Sequence, residues 1–448
     1  MKNLLLSTAA LSLAACATAS PPVSELTAMP EAYDYADKLA EAEKIDVLWW
    51  KTFDDPALNA LIDEALTANQ DIAAGLAALR SARASVRIAN ASLFPQLSAG
   101  ASASSNTEGE GLDDISASAR GSASYQLDLF GQNAASRRAT RASYDAQAFD
   151  QRALELTIAS DVAFTYFSVL AARERLEVAQ SNLEISERIF KIVETRYDAG
   201  DVSRFDLTSQ EASLANARAR VPQIEQQLVS LETALSVLLG RTPQGYDAPE
   251  GDILAMTPPP INPGMPSELL LRRPDLLSAE AQLRAADANV AAAERAFFPS
   301  IDLNAGANAG LTGGTSVIGS LAASLAAPIF TGGRLEGQLD SAKARVEQQI
   351  ANYRKSTLNA LRDVDVSLSA LTTAEQREEQ LVVAHDATQT SLSLAEIRYR
   401  SGADDLTSLL NAQSSYFSAS DSLVQGRLDR LSAAIDLYAA IGGGWSGQ

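Results

Sequence analysis

The same succession of signals runs through this chain twice, at a separation of roughly 200 residues. Asn69-Gln70-Asp71 opens a helical run that ends at Leu93-Phe94-Pro95, and Arg273-Pro274-Asp275 opens one that ends at Phe297-Phe298-Pro299. Leu127-Asp128-Leu129-Phe130-Gly131 answers Ala327-Pro328-Ile329-Phe330-Thr331, and Arg196-Tyr197-Asp198-Ala199-Gly200 answers Arg398-Tyr399-Arg400-Ser401-Gly402. Three matches in one order define a tandem duplication, so whatever one half folds into, the other must mirror.

Between the second and third landmarks each half holds about 65 residues without proline, rich in Ala, Leu, Arg, Glu and Gln. A helix of that length runs on the order of 100 Å, several times the usual globular helix. In the first half Val162, Val169, Leu176, Leu183, Phe190 and Tyr197 recur every seven residues, with Thr165, Ala172, Ala179, Ser186 and Val193 three positions later. This is a coiled-coil seam that sets large side chains against small ones. The second half keeps the register at Val364, Leu371, Leu392 and Tyr399 but places Glu378 and His385 where large apolar residues are expected. Its middle therefore packs differently or meets water. Short glycine-containing turns, Asp198 to Val202 and Ser401 to Asp404, precede return helices to about Leu239 and Ile441, which forces antiparallel hairpins.

The segments before the long helices have period two. Ile115, Ala117, Ala119, Ala123, Tyr125, Leu127 and Leu129 alternate with Ser116, Ser118, Arg120, Ser122, Ser124, Gln126 and Asp128. Ile301, Leu303, Ala305, Ala307, Ala309 and Leu311 alternate with Asp302, Asn304 and Asn308. These are strands with one apolar and one polar face, entered through Pro95 and Pro299. Each pair turns through a polar loop, Asn106 to Asp114 or Thr312 to Ser316. Four strands cannot close a barrel, and open edges are not tolerated in lipid, so several chains must share one. Hairpins with narrow apolar seams likewise need copies to pack against.

The N-terminus agrees with a membrane destination. Met1-Lys2-Asn3, an apolar stretch from Leu4 to Ala15 and Leu13-Ala14-Ala15-Cys16 read as a secretory signal with a lipobox. Cys16, the only cysteine, is the expected lipid attachment point, and Ala17 after it argues for sorting to the outer membrane. No later segment approaches eighteen uninterrupted apolar residues, so no transmembrane helix is expected. A net charge of −20 sets the chain against nucleic acid as a partner. His385 is the only histidine and lies mid-helix without a metal-ligand cluster, so neither catalysis nor a cofactor beyond the lipid is expected.

Trp49-Trp50-Lys51-Thr52-Phe53-Asp54-Asp55-Pro56-Ala57-Leu58, Leu271-Arg272-Arg273-Pro274-Asp275-Leu276, Ala296-Phe297-Phe298-Pro299-Ser300 and Pro328-Ile329-Phe330-Thr331-Gly332-Gly333-Arg334 together resemble the TolC family's lipoprotein branch, the NodT/OprM-type outer membrane factors. The resemblance covers essentially the whole mature chain. It implies a homotrimer with a twelve-stranded transmembrane β-barrel, four strands per chain, over an α-barrel crossing the periplasm. It implies docking onto a periplasmic adaptor and an inner-membrane pump of the resistance-nodulation-division type, and an exit duct for small molecules. A type I protein-secretion duct is the nearest alternative within that class, and a non-channel periplasmic coiled-coil scaffold lipoprotein is the alternative from another class.

Family channels close at the periplasmic tips through a tyrosine and an aspartate on neighbouring hairpins, which Tyr399 and Asp206 resemble by position. The family's acidic pore positions are occupied here by Ser408 and Asn411, and Asp404 and Asp405 could supply a substitute ring. The expected fold class is α+β, mostly long helical hairpins plus four strands per chain, with an internal tandem repeat. In order, the expected segments are a signal peptide (1–15), a lipidated and equatorial segment (16–68), a helix (69–96), strands 1 and 2 (97–130) and a long hairpin (131–239). A connector (240–272) then leads to a helix (273–299), strands 3 and 4 (300–330), a second hairpin (331–441) and a tail (442–448).

Overall fold

The computed structural model describes residues 29–33, 48–105, 115–310 and 316–443. The signal segment, Cys16, the Asn106–Asp114 turn, most of the Thr312–Ser316 turn and the end of the C-terminal tail lie outside the described residues. Eight helices are described: α1 (Pro56–Ala68), α2 (Gln70–Ala91), α3 (Gln132–Asp198), α4 (Arg204–Leu238), α5 (Leu269–Arg272), α6 (Pro274–Arg295), α7 (Arg334–Arg400) and α8 (Leu406–Ala440). The strands are β1 (Gln96–Ser105), β2 (Ile115–Leu127), β3 (Ser300–Gly310) and β4 (Ser316–Ala326).

The duplication holds in helix length. α2 and α6 have 22 residues each, α3 and α7 have 67, and α4 and α8 have 35. Both hairpins are offset by 202 residues, Gln132 to Arg334 and Arg204 to Leu406.

The chain divides into two compact units. One, built from the described residues among 85–143 and 279–355, holds a four-stranded antiparallel sheet in the order β1-β2-β3-β4. The β2–β3 pairing, Tyr125 opposite Leu303 and Arg120 opposite Asn308, joins the two strand pairs that the duplication separates. One face carries a hydroxyl ladder: Ser98 to Ser122 at 2.7 Å, Ser102 to Ser118 at 3.0 Å and Ser104 to Ser116 at 2.8 Å. The other face carries Leu97, Tyr125, Leu321 and Leu325 among alanines in register, such as Ala123 opposite Ala305. Leu97 and Leu321 are more than four-fifths exposed. Where the chain enters and leaves the sheet, Phe130 stacks on Phe298 at 4.9 Å and Arg295 donates to the Gly131 carbonyl at 3.1 Å.

The second unit, residues 30–84, 144–278 and 356–448, contains the main apolar core. Trp49 stacks on Tyr438 at 5.1 Å, and Thr52 shares a hydrogen bond with the Tyr438 hydroxyl at 3.0 Å. Tyr166, Phe167 and Leu170 of α3 pack with Leu58 and Ile62 of α1 and Leu235 of α4. α3 contains an 18-residue stretch of mean hydropathy 1.3, long and apolar enough to cross a membrane by length and composition, against the expectation of no such helix. That stretch is 56% buried within the chain, as a core helix is. Arg173 straps the connector to the helices, donating to the Pro249 and Ala248 carbonyls and pairing with Glu232 at 2.7 Å.

The seam departs from its expected form. Val162 and Val169 are buried, but Leu176, Leu183, Phe190 and Tyr197 are only half-buried, while Ala172, Ala179, Ser186 and Val193 are fully covered. The small side chains admit α4 and α8 closely: Gln210 donates to the Ser186 carbonyl at 3.0 Å and Gln413 to its hydroxyl at 2.5 Å. The large residues are displaced to the margins of the contact. In α7 the expected interruption is an ion-pair cluster: Glu378 is buried and held by Arg427 and Arg430 of α8, with Arg430 also pairing with Glu375 at 2.6 Å. A buried carboxylate persists there because two guanidiniums share its charge.

Each return helix ends on the same joint. Gly240, after α4, has φ +69°, and a Cβ there would lie 2.4 Å from the Ala68 carbonyl oxygen at the end of α1. Gly442, after α8, has φ +88°, and a Cβ there would lie 2.9 Å from the Arg272 carbonyl oxygen at the end of α5. Only glycine satisfies both the left-handed backbone and the close approach.

Candidate functional site

The two hairpin turns carry the residues singled out from the sequence. α3 ends in a left-handed Gly200 (φ +81°), with Asp201 N–H donating back to the Arg196 carbonyl at 2.8 Å. α7 ends in the same way at Gly402 (φ +72°), with Ala403 N–H donating to the Arg398 carbonyl at 2.9 Å. Both glycines supply the left-handed residue that closes the helix end.

Asp206 begins α4 in a reciprocal cap. Its Oδ2 accepts from the Ser203 backbone N–H at 2.9 Å and from the Ser203 hydroxyl at 2.7 Å, and Ser203 Oγ accepts the Asp206 N–H at 3.2 Å. Both of these bonds use Oδ2, which leaves Oδ1 without a hydrogen bond among the described residues. Asp405 caps α8 by accepting the Ser408 N–H at 2.8 Å, and that bond with the Ser408 hydroxyl holds its carboxyl below the ordinary carboxylate value. Asp404 lies half-buried, 3.3 Å from the Arg398 guanidinium. Ser408 is half-buried and Asn411 exposed, three residues apart on α8.

Tyr399 belongs to a small apolar cluster that locks the tip: Ile189 and Val193 of α3, Leu392 of α7, and Leu406, Leu409 and Ala412 of α8. Its ring is 2% exposed and its hydroxyl is buried without a hydrogen-bond partner among the described residues. Burial pushes that hydroxyl above its ordinary pKa, the Arg196 guanidinium opposes the shift, and Asp206 adds to it. Tyr399 and Asp206 therefore sit at one tip without bonding each other inside the chain. Arg196 and Ser203, which touch them, were missed by sequence reasoning. The arginine shared by Arg196-Tyr197 and Arg398-Tyr399 was the available signal.

His385 rests against the Tyr416 ring at 5.6 Å, in a cleft of about 250 Å³ with Glu174 and Ser181. Burial, then Glu177 and Asp252, pushes the Glu174 carboxyl up. Among the described residues no group of His, Cys, Asp and Glu is arranged to hold a metal.

A sheet with one polar and one apolar face and both edges free among the described residues, in a chain of duplicated long hairpins, defines a channel-forming outer-membrane protein. The chain belongs to the outer membrane efflux protein family, whose model matches residues 61–241 and 265–443, one match per repeat. It is 36% identical to the pyoverdine export outer membrane protein OpmQ of Pseudomonas aeruginosa over 99% of this chain and 97% of that one. It is 31% identical to the probable outer membrane lipoprotein SilC of Salmonella typhimurium over 89% of this chain and 88% of that one. The structure of the outer-membrane channel OprN superposes with a TM-score of 0.86 at 28% identity, covering 96% of this chain and 99% of that one. The protein is thus an outer-membrane efflux channel with a TolC-like fold, and not an enzyme.

Proposed function

We propose that three copies of this chain close a twelve-stranded barrel and act as the exit duct of a tripartite pump, receiving small molecules through a periplasmic adaptor from an inner-membrane pump of the resistance-nodulation-division type. The observation that carries this is the pair of free edges. β1 and β4 each leave a row of backbone donors and acceptors unpaired among the described residues, a cost of several kcal/mol per group in hydrocarbon that β1 of one copy and β4 of the next would remove together. Strands of 10 to 13 residues suit a tilted crossing of the bilayer. Exposed Leu358, Val366, Val383, Leu394 and Ile397 along α7 offer apolar surface for a neighbouring helix.

In this reading the hydroxyl ladder faces the lumen and the alanine-rich face meets lipid. Cys16 carries the lipid anchor, as the name of the SilC relative suggests for that protein. Tyr399 and the free oxygen of Asp206 meet across neighbouring hairpins as a gate, and Asp404 and Asp405 form the acidic ring that Ser408 and Asn411 do not supply. Light scattering of the detergent-solubilised protein tests the assembly. A trimer that gives discrete channels in planar bilayers is expected, and a compact water-soluble monomer would end the proposal.

A further inference from the structure

The polar face of the sheet is almost free of charge. Among the described strand residues it carries one cation, Arg120 of β2, and one carboxylate, Asp302 of β3. Arg120 stands opposite Gly100 of β1 and Asn308 of β3, whereas Asp302 stands opposite Gln126, six register positions away. At about 3.3 Å per residue the two charges are ~20 Å apart along the strands, too far to neutralise each other. Arg120 is exposed and makes no hydrogen bond or ion pair among the described residues.

Its surroundings form a hollow of about 410 Å³. Besides Arg120 the polar lining is Ser122, Ser124, Asn304, Asn308 and Ser320, hydroxyls and amides that can each donate a hydrogen bond, with no carboxylate. Two glycines keep the space open: a Cβ at Gly100 would meet nothing within 4 Å, so no side chain there covers Arg120, and one at Gly306 would crowd the Ser320 hydroxyl at 3.1 Å. A guanidinium in a hollow lined by hydroxyls and amides and free of carboxylates attracts oxyanions, since its planar fork matches a carboxylate or phosphate through two parallel hydrogen bonds.

Resting on the proposed trimeric barrel, we propose that Arg120 and its copies form an anion-binding collar in the lumen that takes carboxylate- or phosphate-bearing solutes in transit. Rings of arginine side chains give pores anion preference. In a chain of net charge −20 this collar is a local reversal of the prevailing field.

The test uses full-length channels in planar bilayers under a potassium chloride gradient, with citrate as the blocking probe. R120Q should shift the reversal potential toward cation selectivity and R120E further still. The half-blocking citrate concentration should rise in R120Q on the order of tenfold, as for loss of a charged hydrogen bond. R120K should keep the reversal potential and lose part of the block. Identical reversal potential and block in R120Q and wild type would overturn the proposal. In the wild-type channel alone, citrate should block at lower concentration than a neutral solute of its size, and equal block would also overturn it. Wild-type trimers that open no channels would instead sink the barrel reading, and this proposal with it.

Discussion

The Arg196 guanidinium lies 5.0 Å from the centre of the Tyr399 ring and donates to the Tyr399 carbonyl at 3.3 Å, so the first repeat's arginine grips the second repeat's tyrosine. With Arg188 paired to Glu396 at 3.1 Å, two contacts bind α3 to α7 near the tip. Removing the Arg196 side chain in Arg196→Ala takes away a cation–π contact of about 0.5–1 kcal/mol and a hydrogen bond of similar size. Faster amide exchange in residues 392–400 is the expected result, with the trimer intact.

The Tyr399 hydroxyl accepts and donates no hydrogen bond among the described residues, so Tyr399→Phe should leave thermal stability within about 0.5 kcal/mol of wild type. If a neighbouring copy supplies the partner, Tyr399→Phe and Asp206→Ala both raise leak conductance in planar bilayers. Unchanged leak in both removes the gate assignment.

Glu378 neutralises Arg427 and Arg430 in a buried cluster. Glu378→Gln should cost about 3 kcal/mol, read as a lower melting temperature, because it leaves Arg427 without a counter-charge and Arg430 with Glu375 alone. Glu378→Leu combined with Arg427→Met and Arg430→Met should recover most of that loss. Equal destabilisation in the single and triple variants would show that the cluster is not a charge-balanced unit.

Gly240→Ala and Gly442→Ala should each destabilise more than Gly200→Ala. All three force a left-handed backbone, at roughly 1 kcal/mol, but only the first two also drive a methyl against a carbonyl oxygen. Melting temperatures of the purified variants give the comparison.

Asp405 has a lowered pKa through its cap on Ser408, so its contribution to the α8 N-terminus is present above the ordinary carboxylate value of about 4 and is lost as pH falls through the lowered value. Amide exchange at Ser408 should show a capped helix at pH 5 and fraying only below about 4. Asp405→Ala should fray it at both.

Much of this architecture is written locally. Heptad spacing marks α3 and α7 because every turn of a long exposed helix must present a stripe, and period two marks β2 and β3 because one face avoids water. What the spacing of Leu176, Leu183 and Phe190 cannot convey is which side of the stripe receives its own chain, since that depends on α4 and α8 and on the glutamines they carry. The meaning of Glu378 is hidden for the same reason: its partners lie about 50 residues onward, on a helix that returns only after folding. At the tip, Tyr399 and Asp206 were legible as positions. The hold of Arg196 on Tyr399 was not, because it joins residues about 200 positions apart that meet only when α3 and α7 pack together.

The equal lengths of α3 and α7 constrain how such a chain can change. Inserting one residue into α3 would advance its tip by about 1.5 Å and rotate it by roughly 100°, carrying Arg196 off the face of Tyr399. Drift in reach is therefore open to this lineage only in paired steps, both arms growing or shrinking by whole heptads at once.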